Sequence, residues 1–79
     1  MNINTEIANV RRTLRLAIEH QDWMGAEITG QTGRYVKAQA ARLMLQTDDP
    51  DALAMLRKCH ENGSKLREAA RTGAKLVAA

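Results

Sequence analysis

Nowhere in this chain do apolar and polar residues alternate with a period of two. Where apolar residues recur, they do so at intervals of three and four, the spacing of one helix face. Strands are thereby excluded as a framework, and the expected fold class is all-α. Ile7, Val10, Leu14 and Ile18 mark a first helix over about residues 5 to 20, with Asn4 as its N-cap and Glu6 near its positive end. Asp22 to Gly33 holds three glycines in nine residues, so a short second helix at about 22–29 and a tight turn are expected there. Val36, Ala40 and Leu43 carry a third helix over about 32–46, capped by Thr32.

The clearest boundary is Thr47-Asp48-Asp49-Pro50-Asp51. Proline cannot continue a preceding helix but suits the first position of a new one, with Asp49 as the cap. The fourth helix is expected over about 50–77, through Leu53, Leu56, Cys59 or His60, Gly63, Leu66, Ala70, Gly73 and Val77. Its register survives Asn62-Gly63, which favours one long helix, while an Asn-Gly pair usually stops one. Both readings stand at this point.

Such helices can bury only a thin core. The chain has 79 residues, one domain at most, and its 44% apolar share is rich in Ala, with Trp23 and Tyr35 as the aromatics and no Phe. A two-domain enzyme with a deep cleft is excluded, and a partner or a second copy is expected to supply further burial. The single cysteine, Cys59, forms no intramolecular disulfide, which suits a reducing cytoplasm. No secretory signal or membrane-length apolar run is present in the sequence.

Net charge is +3, compatible with nucleic acid but common elsewhere. Its distribution is uneven: Arg11, Arg12 and Arg15 cluster on the first helix, and Arg57, Lys58, Lys65, Arg67, Arg71 and Lys75 crowd the last. The first cluster is read as a solvated face or as phosphate contacts.

Taken as a twenty-residue unit, Asp22 to Ala41 places Ala26 fifth, Gly30 ninth and Val36 fifteenth. The segment resembles the helix-turn-helix of small bacterial and phage regulators. There a small residue lets two helices approach, a glycine makes the turn and a β-branched residue locks the second helix into the core. The resemblance implies a recognition helix starting near Thr32, with Thr32, Gly33, Arg34, Lys37 and Ala38 toward double-stranded DNA and Lys37 and Arg42 at its phosphates. It covers about a quarter of the chain. The fourth, eighth and tenth positions, usually apolar in that family, are Gly25, Thr29 and Gln31 here.

Other constellations are set aside on their chemistry. Gly25 to Thr32 approaches a phosphate loop, but Gln31 stands where the phosphate-neutralising Lys belongs. His20, Asp22, Cys59 and His60 are metal-capable types without paired ligand spacing. Asp48, Asp49 and Asp51 lack the glycine and distal Glu of a calcium loop. The chain is therefore expected to be non-enzymatic and cytoplasmic, with no cofactor, metal or membrane association. It is read as a DNA-binding regulator that forms a homodimer through Leu56, Leu66, Gly73 and Val77. The alternative is a protein-interaction module, an adaptor or phage-type inhibitor docking onto a larger host protein.

Overall fold

The structure is a computed structural model and describes residues 2–77. Those residues form three helices and no strand: α1 (Ile3–Glu19), α2 (Gln21–Met44) and α3 (Pro50–Thr72). The all-α class is as expected, but the helix count is three rather than four. The expected second and third helices are one element. Its only non-helical residue is Gly25, at φ 82° and ψ 162°, a conformation that essentially only glycine tolerates. The reversal from α1 into α2 is therefore made by His20 and Gly25. Gly30 is an ordinary helical residue, and no turn follows it.

Helix ends follow local hydrogen-bonding chemistry. Asn2, not Asn4, caps α1, its side chain accepting from the Thr5 amide at 2.9 Å. Asp49 caps α3 as expected, with Pro50 in the first turn. Thr32 is not a cap: its hydroxyl donates back to the Ile28 carbonyl at 2.9 Å within α2. The last helix passes unbroken through Asn62-Gly63 and stops at Thr72, short of the expected 77. Gly73 there adopts the left-handed conformation at φ 78°, and the Ala74 and Gly73 amides donate to the Ala69 and Ala70 carbonyls, the paired bonds of a Schellman stop.

Each helix turns a stripe with alternating steps of three and four toward the axis. The stripes are Ile7, Val10, Leu14 and Ala17 on α1, Thr29, Gly33, Val36, Ala40 and Leu43 on α2, and Ala52, Leu56, Cys59, Gly63 and Leu66 on α3. That spacing keeps a seam facing its neighbours along nearly aligned helices. Val36, Leu43, Leu56 and Leu66 are fully buried, each contributing about 1.5–3 kcal/mol of transfer free energy. Trp23, one of the chain's two aromatics, is 76% exposed. It lies before the Gly25 kink, outside the stripe.

Helices α2 and α3 pack most extensively, and α1 meets α3 least. The α2–α3 crossing is at Gly33 and Gly63. A Cβ on Gly33 would lie 2.7 Å from the Gly63 carbonyl oxygen and 2.9 Å from the Arg67 amide nitrogen; one on Gly63 would lie 2.9 Å from the Gly33 oxygen. Backbone therefore rests on backbone. The run 74–77 turns back over the α1–α2 corner, where Gln21 accepts from the Leu76 amide at 2.9 Å and donates to its carbonyl at 2.7 Å. Lys75 pairs with Asp22 beside this clasp.

Alanine substitution separates close approach from helix propensity. In a free helix Gly→Ala gains about 1 kcal/mol, and Gly30→Ala should gain up to that, its added Cβ meeting Ala70 at an ordinary 3.6 Å. Gly33→Ala and Gly63→Ala should instead lose a net ~1–3 kcal/mol, because backbone atoms cannot rotate away. Urea midpoints of the three variants measure the difference, and a stabilised Gly33→Ala would show that the helices do not touch there.

Candidate functional site

The residues expected to read DNA are spread around α2. Arg34, Ala38 and Arg42 fall on its outward face and are exposed, while Lys37 and Thr32 are half-buried at opposite edges. The Lys37 backbone faces α3, since a Cβ on Gly63 would lie 3.2 Å from its amide nitrogen. Arg42 is engaged: its Nη2 lies 3.0 Å from Glu6 Oε1 and its Nε donates to Gln39 at 3.0 Å. Arg34 borders a shallow trough between α2 and α3 with Glu27, Gln31, Arg67 and Arg71. Arg71 hydrogen-bonds Glu68, and that bond and its charge hold the Glu68 carboxyl below the usual range.

Two of the four residues expected to form a dimer are occupied within the chain. Leu56 and Leu66 are fully buried, lying on the α3 stripe that packs against α2. Gly73 ends the helix, and Val77 lies beyond it, exposed. The α3 stripe is covered by α2.

An open seam lies on the other side of the bundle. Arg42 near the end of α2 meets Glu6 near the start of α1, and Gly30 and Gly33 face Ala70 and Gly63 in reverse order, so α2 is antiparallel to both neighbours and α1 and α3 run parallel. Between them is a groove of about 260 Å³, with Leu14, Ile18, Met55 and Cys59 as its apolar surface and Arg11, Arg15, Glu19, Lys58 and Asn62 around them. Ile18 and Met55 each stand one position off the core stripe, at Ala17 and Leu56 respectively. The core uses the small Ala17 on α1, and the larger neighbour is left at the seam's edge. The Arg11 guanidinium lies over this surface, Nη1 3.5 Å from Met55 Sδ.

Charge around the groove is unbalanced. Arg15 approaches Glu19 only at 4.0 Å, with both side chains largely exposed. Among the described residues Arg11, Arg12 and Lys58 make no ion pair. Burial pushes the Cys59 thiol above its ordinary range, with Arg11 opposing the shift. Of the phosphate-contact candidates, Arg11 and Arg15 belong to this rim, and Arg12 lies next to them on α1.

Met55, Lys58 and Ile18 were not singled out as site residues from the sequence. Their available signal was apolar or basic character one step off a helical stripe. Elsewhere, Thr29 is buried with its hydroxyl unpartnered. Thr32 and Thr72 each donate to the carbonyl four residues back, but for Thr29 that residue is the kinked Gly25. His20 and Trp23 stand with ring centroids 5.6 Å apart. Among the described residues no group of three or more His, Cys, Asp or Glu could hold a metal, and no helix is long and apolar enough to cross a membrane.

The chain matches no protein-family model, and no curated protein or solved structure is significantly similar to it.

The two outward arginines of α2 should behave differently. Arg42→Ala breaks the tie between α1 and α2 and should cost about 0.2–1 kcal/mol, whereas Arg34→Ala should leave stability unchanged. Thermal melts of both variants test the assignment. Equal losses would place Arg34 in a contact that the fold does not provide.

Proposed function

We propose that the protein is a small non-enzymatic interaction module, an adaptor or inhibitor that docks onto a larger protein through the α1–α3 groove. The observation that carries this reading is the apolar surface left open at the α1–α3 seam, the least extensively packed of the three. Met55 is 37% exposed and Ile18 half-buried, so the groove retains apolar area that an occupant would remove from water. The unpaired Arg11 and Lys58 give it a polar rim.

A second reading is favoured by Arg34 and Arg67, which border one trough between α2 and α3 without an ion pair among the described residues. Two exposed guanidinium groups on one side of the bundle suit phosphate contact with double-stranded DNA. This reading uses surface charge alone, because α2 is continuous where a helix-turn-helix would bend.

Photo-crosslinking in the source cells separates the readings. A photoreactive residue replacing Met55 should trap a discrete protein species, and one replacing Ala38 on the outward face of α2 should not. In parallel, a random DNA duplex should fail to hold the protein at ~150 mM salt. Crosslinks to DNA from Ala38, with none to protein from Met55, would overturn the interaction-module reading and favour the second.

A further inference from the structure

Resting on the interaction-module reading, we infer that the groove receives an acidic amphipathic helix, its apolar stripe lying on Leu14, Ile18 and Met55 and its carboxylates meeting Arg11, Arg15 and Lys58. The shape comes from the two walls. Residues 11–19 of α1 and 55–62 of α3 run in parallel, and each wall is about 10 Å long at 1.5 Å per residue. About two turns of a helix fill such a trough as a fourth member of the bundle, presenting anchors spaced three and four apart.

The sign comes from the rim. Arg11 and Lys58 lack carboxylate partners among the described residues, and Glu19, the one acid there, faces Arg15. An occupant with acids flanking its apolar stripe supplies what the rim lacks. A second copy of this chain docking groove to groove would bring like charges together. The cations are distributed over two helices and about two turns instead of converging on one point, which suits several carboxylates better than the single head group of a fatty acid.

The probe is a fluorescein-labelled synthetic helix of about fourteen residues, with Leu at the three-and-four positions and Glu elsewhere on the flanks; its twin carries Lys for every Glu. Fluorescence anisotropy with the full chain should show the Glu peptide binding at least about tenfold more tightly than the Lys peptide, the gap narrowing as salt rises. The double variant Arg11→Glu, Lys58→Glu should reverse the order of the two peptides. Met55→Gln, a neutral change at a partly exposed position, should weaken binding of the Glu peptide several-fold while the far-ultraviolet circular dichroism melt stays cooperative.

Equal binding of both peptides, or a preference that the double variant leaves intact, would overturn the inference. So would complete displacement of the Glu peptide by decanoate at the same affinity for wild type and double variant, which would point to an acyl-chain pocket. Sedimentation showing a dimer that the same substitutions dissolve would assign the groove to a second copy. If the peptides fail while the Met55 crosslink to a protein persists, the partner's charge is wrongly assigned and the interaction module stands.

Discussion

The contact of Gly33 with Gly63 sets the geometry of everything else in the bundle. With no side chain on either residue, α2 and α3 approach until peptide groups touch, and Val36, Leu43, Leu56 and Leu66 close over one another on that side. A chain with no Phe has few large groups with which to fill space. Bringing the helices together reduces the volume that needs filling, which is how a thin core can still pack densely. The arrangement binds two helices strongly and leaves the third to lean on them. The open α1–α3 seam is the complement of the closed α2–α3 one.

Much of this architecture was legible in the sequence. The spacing of Ile7, Val10 and Leu14, the missing period of two, and the Asp49-Pro50 start each rest on chemistry within a few residues, and each reappears in the structure. The errors have a common source. Glycine serves two purposes, conformational freedom and thinness, and a single sequence does not say which is in use. By spacing Gly30 suits a turn and Gly33 an outward position on the helix after it; in the fold Gly30 is an ordinary helical position and Gly33 a contact point. Gly25 was the glycine that needed its freedom. The spacing of Ala26, Gly30 and Val36 could suggest a helix-turn-helix because a small-residue seam in a continuous helix places the same residue types at similar intervals.

The groove was harder to read for a different reason. Arg11 and Arg15 were noticed as a cluster, but their relation to Met55 and Lys58 exists only once α1 and α3 lie side by side without fully meeting. On α1 the stripe uses the small Ala17 and leaves its larger neighbour Ile18 at the edge, while on α3 Met55 stands one position from the buried Leu56. Periodicity alone favours the larger residue, so Ile18 was assigned to the core and Ala17 overlooked. Likewise the cover that α2 gives the buried leucines of the last helix is a tertiary contact that spacing alone does not show.

The unequal seams also imply a hierarchy of opening. A small domain seldom opens uniformly; segments detach in the order of the contacts that hold them. Here the α2–α3 hairpin is the most extensively joined pair, while α1 rests on α2 and the Gln21–Leu76 clasp holds the corner where α1 ends. Amide protons of α1 should therefore exchange with solvent ahead of those around Gly33 and Gly63. One wall of the groove belongs to the detachable unit and the other to the persistent one. Anything lodged between them would join the two units, lengthening the closed lifetime of α1 in proportion to its occupancy. The bundle's weakest seam would then also be where its dynamics respond to a partner.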